Sequence, residues 1–119
     1  MHRVLVLDDD KDLRTVMSDL FLVLGADECI LADSVAALEK NRERLKNFSV
    51  AILDVNLGRD QPTGVDAYKW LRGIGYDGKV AFLTGHAATH PLVLEASHLS
   101  DAEVIQKPAS LDRLEALLK

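Results

Sequence analysis

Short apolar runs that alternate with helix-like apolar stripes constrain this fold more than any other feature of the sequence. The runs at residues 4–7, 29–32, 50–53 and 80–83 are continuous and only four residues long, which is typical of strands buried on both faces. Residues 103–105 predict a shorter fifth strand. Each run is followed by a segment whose apolar residues recur at helical spacing, clearest over residues 11–24. Five strands alternating with five helices are therefore predicted.

The predicted helices cover residues 11–24, 35–45, 65–74, 91–99 and 111–118. Side chains that can cap a helix stand before three of them: Asp10, Ser34 and Ser110. Gly25 follows the first helix and can end it. Pro91 suits the first turn of the fourth helix.

Strands that alternate with helical crossovers pair in parallel, and the crossovers place helices on both faces of the sheet. We therefore expect an α/β fold of the flavodoxin-like (βα)5 type. Its doubly wound five-stranded parallel sheet would have the order 2-1-3-4-5. Because 119 residues fit one compact domain, we predict a single domain over residues 1–119.

Composition limits the possible partners and compartments. Fourteen Lys and Arg against 19 Asp and Glu leave a net charge of -5, which argues against nucleic-acid binding by this domain. The longest apolar run has five residues, far fewer than a membrane span needs. The first residues lack the apolar stretch of a signal peptide, and the single cysteine, Cys29, permits no internal disulfide. We expect a cytoplasmic protein without membrane contact.

Polar side chains follow four of the five predicted strands. Asp8 and Asp9 come after the first strand, Asp54 closes the third, Thr84 closes the fourth, and Lys107 follows the fifth. In the order 2-1-3-4-5 these four strands are neighbours, so all five side chains meet at one edge of the sheet. Ligands of such sheets bind beyond the carboxyl ends of the strands. The sequence therefore predicts a functional site at this edge.

Each of these residues taken alone also has a structural explanation, such as helix capping by the acids or a solvated lysine. Clustered carboxylates, however, repel one another unless a cation lies among them, and Mg²⁺ is the cation that carboxylates and phosphate oxygens favour. A carboxylate can act as a nucleophile and form an aspartyl phosphate. We predict Mg²⁺ held by Asp9 and Asp54, with Lys107 and Thr84 each binding a phosphoryl oxygen.

At these residues the sequence resembles the receiver domain of two-component response regulators over essentially the whole chain. The matching motifs are Val-Leu-Val-Leu-Asp-Asp-Asp at 4–10, Ile-Leu-Asp-Val-Asn at 52–56, Leu-Thr-Gly at 83–85 and Lys-Pro at 107–108. The resemblance implies a phosphorylation-dependent signalling switch rather than an enzyme with a separate substrate. Its phosphodonor would be a sensor histidine kinase or a histidine phosphotransfer protein.

The resemblance also assigns a role to each site residue. It implies that Asp54 is the phosphoacceptor and that Thr84 and Lys107 are the switch hydroxyl and the phosphate-binding lysine. The implied Mg²⁺ ligands are Asp8, Asp9, Asp54 and the backbone carbonyl of Asn56.

Three departures from the family pattern concern the loop after the phosphoacceptor and the output face. Pro62 and Gly64 come later than is usual, so this loop is about two residues longer than in the family. Val104 stands where the family often has Tyr or Phe, so an aromatic ring cannot couple to the threonine in the usual way. Ala109 replaces a common Phe. The face of the fourth helix, fifth strand and fifth helix is a possible homodimer surface.

Two other functions remain open from the sequence. A Mg²⁺-dependent phosphatase or phosphotransferase would use the same aspartyl phosphate but needs a second acid two residues later, where this chain has Asn56. A flavodoxin-like cofactor binder would need a phosphate-cradling loop after the first strand, where three aspartates would repel a phosphate. His86, His90 and His98 are too few for a zinc site without further ligands. We expect them to be solvated loop residues, with His86 bordering the pocket.

Overall fold

A computed structural model, which describes residues 2–119, contains a five-stranded sheet in the order β2-β1-β3-β4-β5. All four strand pairings are parallel. This arrangement confirms the predicted fold class and strand order. The strands are β1 (Arg3–Leu7), β2 (Glu28–Ala32), β3 (Val50–Asp54), β4 (Lys79–Thr84) and β5 (Ala102–Gln106).

The helices lie on both faces of the sheet because successive strand residues point to opposite sides. Leu5 and Leu7 of β1 join the core beneath four helices, whereas Val4 and Val6 join the core beneath the other two. The first face carries α2 (Val35–Glu39), α3 (Arg42–Leu45), α4 (Gly64–Gly73) and α5 (Pro91–Ser97), and the second carries α1 (Lys11–Val23) and α6 (Leu111–Leu117). Among the described residues, no helix combines the length and hydrophobicity needed to cross a bilayer.

The single helix predicted over residues 35–45 is wrong: α2 and α3 are separate short helices. The break falls at Asn41, whose side-chain Nδ2 donates to the Ala37 carbonyl at 3.2 Å. The backbone N–H of Asn41 donates instead to Leu38, three residues back. Asn side chains compete with helical backbone bonds in this way, so the apolar spacing continues while the helix does not.

The predicted caps are confirmed at three helices. Asp10, Ser34 and Ser110 accept hydrogen bonds from backbone N–H groups in the first turns of α1, α2 and α6. Thr63 and Asp66 form a reciprocal capping box at α4.

Strand register determines which side chains share the carboxyl edge of the sheet. Leu7 pairs with Leu53, Asp54 with Leu83, and Thr84 with Gln106. Neighbouring strands among β1, β3, β4 and β5 therefore end within one residue of each other, and the residues at and after these ends lie around one cleft.

Candidate functional site

The cleft at the carboxyl edge has a volume of about 400 Å³. Residues from four segments of the chain line it, namely Asp9, Asp54, Asn56, Gly58, Gly85, His86 and Lys107. The structure thus brings together side chains that the sequence separates by nearly one hundred residues.

Three carboxylates form the acidic part of the site. Asp8, Asp9 and Asp54 each offer an oxygen within 4.8 Å of the others. Asp8 and Asp54 are only 2% and 6% exposed, while Asp9 is open to solvent. Hard oxygen ligands grouped in this way suit a divalent cation such as Mg²⁺.

Lys107 supplies the positive charge of the site. Its Nζ lies 3.2 Å from Oδ2 of Asp8 and 3.2 Å from Oδ2 of Asp54. Burial alone would lower the pKa of Lys107, but Asp54 and Asp8 together raise it above its ordinary value. Lys107 therefore stays an ammonium, and one positive charge faces three carboxylates.

Burial and the charge of Asp8 raise the pKa of Asp54 to about 6, although Lys107 opposes this shift. At neutral pH the carboxylate is still mostly ionised and can act as a nucleophile. Its Oδ1 accepts from the Asn56 N–H at 3.2 Å, and Oδ1 of Asp8 accepts from the Asp10 N–H at 2.9 Å. Backbone amides thus orient both buried carboxylates.

Thr84 ends β4 and is fully buried. Its Oγ1 accepts from the His86 N–H at 2.9 Å, so the hydroxyl proton remains available to donate to another acceptor. The Thr84 carbonyl accepts from the Lys107 N–H at 2.8 Å. This bond ties the hydroxyl and the ammonium to the same end of the sheet.

The long loop after β3 closes through a backbone approach that sequence reasoning did not find. Gly58 (φ +114°) and Asp60 (φ +60°) make its left-handed bends. At its end, a Cβ on Gly64 would lie 2.1 Å from the Asp54 carbonyl oxygen. Only glycine fits at this position. Gly64, the first residue of α4, therefore packs directly against the backbone of Asp54 and holds it in place.

The expectation that His86 and His90 are solvated is wrong, because both are half-buried and in contact. Their rings stack with centroids 4.3 Å apart and planes inclined by 22°. Asn56 Oδ1 accepts from the Gly58 N–H at 3.0 Å, which directs Nδ2 to donate to His86 Nε2 at 3.1 Å. The sequence predicts only that His86 borders the pocket. This prediction is confirmed, because His86 lines the cleft.

The response regulator receiver domain family matches residues 4–119, and the chain belongs to this family. Receiver domains are signalling domains of two-component systems, so this chain serves phosphorylation-dependent signalling. Such domains interact with histidine kinases or phosphotransfer proteins. No curated protein matches the sequence at a significant level.

Solved structures show the same fold at low sequence identity. A response regulator receiver domain protein from Clostridium thermocellum is 23% identical, with a TM-score of 0.82 over 99% of this chain and 91% of that chain. The chemotaxis protein CheY4 from Vibrio cholerae is 24% identical, with a TM-score of 0.78 over 99% and 96%. The receiver domain of NtrX from Brucella abortus is 22% identical, with a TM-score of 0.79 over 97% of each chain.

Proposed function

We propose that Asp54 accepts a phosphoryl group, in the presence of Mg²⁺, from a phosphohistidine on a sensor kinase or a histidine phosphotransfer protein. The observation that carries this proposal is the position of Asp54. It is a buried carboxylate at a cleft, with a lysine ammonium 3.2 Å away and two more acids within 4.8 Å.

The ligand set fits Mg²⁺. Asp8, Asp9 and Asp54 would hold the ion through carboxylate oxygens, and Asn56 would add its backbone carbonyl. When bound, Mg²⁺ offsets negative charge on the carboxylates and on phosphoryl oxygens. Lys107 carries one positive charge against the three negative charges of the carboxylates. Two negative charges therefore remain for a divalent cation to neutralise.

In the transfer step, a carboxylate oxygen of Asp54 forms a bond to phosphorus as the phosphorus–nitrogen bond of the donor breaks. The electron pair of the broken bond stays on the departing imidazole. Lys107 donates to one phosphoryl oxygen, and the Thr84 hydroxyl donates to another. Hydrolysis of the acyl phosphate by water later returns Asp54 to a carboxylate.

Asn56 separates this function from phosphatase or phosphotransferase activity. A turnover enzyme of that kind needs a proton donor two residues after the nucleophile, and an amide cannot serve as one. Here the Asn56 side chain is instead bonded to Gly58 and His86. We therefore assign residues 1–119 to one receiver domain that turns over no separate substrate and works in the cytoplasm, where an ATP-derived phosphohistidine is available.

Two apolar surfaces are candidates for protein partners. A cleft of about 370 Å³ between α1 and residues 108–109 opens beside Lys107 and is lined by Leu13 and Val16. It would receive the phosphodonor protein close to Asp54. Leu94 of α5 and Leu111 of α6 are about half exposed, and we assign the face of α5, β5 and α6, which are the predicted fourth helix, fifth strand and fifth helix, to a homodimer.

Mass spectrometry tests the proposed acceptor directly. Incubation with a small phosphodonor and Mg²⁺ should add one phosphoryl mass to the protein, and chelation of the metal should prevent it. Asp54→Asn should abolish the gain, whereas Asp19→Asn, at an exposed acid of α1, should not. Labelling that persisted unchanged in Asp54→Asn would show that another residue is the acceptor.

A further inference from the structure

His86 makes hydrogen bonds to β4, to β5 and to the loop after β3. Its N–H donates to Thr84 Oγ1 at 2.9 Å, and its ring Nε2 accepts from Asn56 Nδ2 at 3.1 Å. Its carbonyl accepts from Gln106 Nε2 at 3.2 Å. Any displacement of the Thr84 hydroxyl or of the loop after Asp54 therefore acts on His86.

His90 continues these contacts into α5. Its ring stacks on the His86 ring, and its Nδ1 accepts from the Leu92 N–H at 3.2 Å as the cap of α5. The His90 carbonyl accepts from the Leu94 N–H at 3.0 Å. The stacked pair thus connects the phosphorylation site to the first turn of α5, and α5 is anchored to the core by Val93 and Ala96.

Val104 does not offer another connection of this kind. It is a half-buried β-branched side chain on β5 that packs against the same core cluster as Leu92 and Leu99. A valine has one side-chain torsion that is strongly restricted and carries no polar atom. It can neither exchange hydrogen bonds nor turn a ring between two positions.

We propose that the His86–His90 stack transmits phosphorylation of Asp54 to α5. This inference rests on the proposed function. When the Thr84 hydroxyl donates to a phosphoryl oxygen, the His86 N–H bound to its oxygen shifts with it. The His86 ring then moves against the His90 ring, and the backbone of His90, whose carbonyl accepts from the Leu94 N–H, moves the first turn of α5 with it. Phosphorylation favours the arrangement that holds the phosphoryl group better, and the stack extends that preference to α5.

The test separates the ring of His90 from its capping atom. His90→Asn keeps a side-chain acceptor for the Leu92 N–H but removes the stacked ring. Amide hydrogen exchange of residues 91–97 is measured with and without Mg²⁺ and beryllium trifluoride as the phosphoryl analogue. Wild type should show a change in exchange rate, and His90→Asn should reduce that change roughly threefold or more. Phosphoryl mass gain at Asp54 should stay within about twofold of wild type, since His90 does not line the cleft.

Two further variants keep the result interpretable. His90→Phe retains a stacking ring without the capping nitrogen and should keep most of the response. His98→Asn alters an exposed histidine at the opposite end of α5 and should keep all of it. A full response in His90→Asn, or a wild-type α5 that does not respond when Asp54 is phosphorylated, would overturn the relay. Failure of wild-type Asp54 to gain phosphoryl mass would instead contradict the proposed function.

Discussion

At the scale of single residues, the ammonium of Lys107 stabilises two buried carboxylates that would otherwise repel each other. Asp8 and Asp54 are both nearly inaccessible to water, and the Lys107 ammonium is 3.2 Å from each. Removing one partner of such a group leaves the remaining charges uncompensated. The same ammonium is the group proposed to bind a phosphoryl oxygen, so Lys107 supports both the resting and the phosphorylated site.

Lys107→Ala should still become phosphorylated at Asp54, more slowly than wild type, and should fail to show the exchange change on the α5–β5–α6 face. It should also lower the free energy of unfolding at pH 7 without Mg²⁺ by about 2 kcal/mol. Exchange with beryllium trifluoride and urea unfolding measure the two effects. Lys46→Ala, at an exposed lysine of a weak surface pair, is the control. A full wild-type exchange response in Lys107→Ala would refute its switch role.

At the scale of secondary-structure elements, the start of α4 is fitted against the end of β3. Gly64 approaches so closely that a Cβ would be 2.1 Å from the Asp54 carbonyl oxygen, which is backbone and cannot turn away. The Gly64 N–H also donates to the Val55 carbonyl at 3.0 Å. The position of α4 therefore determines the position of the proposed phosphoacceptor.

Gly64→Ala should destabilise the protein by about 2 kcal/mol or more, because the strand end must move to admit the methyl group. It should also slow phosphorylation of Asp54. Gly73→Ala is the matched control in the same helix, since nothing lies within 4 Å of a Cβ there, and it should stabilise by about 0.5–1 kcal/mol. Urea unfolding and phosphoryl mass gain test both variants. Equal stability of Gly64→Ala and Gly73→Ala would contradict the close fit.

At the scale of the whole molecule, the buried carboxylate of Asp54 lowers the free energy of unfolding at neutral pH. The pKa of Asp54 is about 6 in the folded protein, above its ordinary value of 3.8. Between these two values the folded state binds more protons than the unfolded state, so stability falls as pH rises through about 6. The folded protein therefore keeps a carboxylate that is costly to bury when it is ionised and that the proposed function needs.

Asp54→Asn should be more stable than wild type above pH 7, by up to about 3 kcal/mol, because the amide carries no charge to desolvate. This difference should shrink to less than about 1 kcal/mol near pH 4, where folded Asp54 is protonated and the pH is close to the ordinary pKa of 3.8. Urea unfolding from pH 4.5 to 7.5 without Mg²⁺ measures it. Asp19→Asn should show no such pH dependence. A difference that stayed constant across this range would show that Asp54 has an ordinary pKa.

The sequence by itself determined the strands, their parallel order and the edge where Asp8, Asp54, Thr84 and Lys107 meet. It could do so because strand and helix periodicity are local properties, and connection rules restrict how such elements assemble. Only the tertiary structure decided the break at Asn41, the close approach of Gly64 and the stacking of His86 on His90. These features depend on distances between particular atoms. At Gly64 those atoms come from separate segments of the chain. At Asn41 a side chain competes with a helical backbone bond, and at His90 a side chain caps an N–H that the helix leaves without a partner. No repeating pattern in the sequence records either contact.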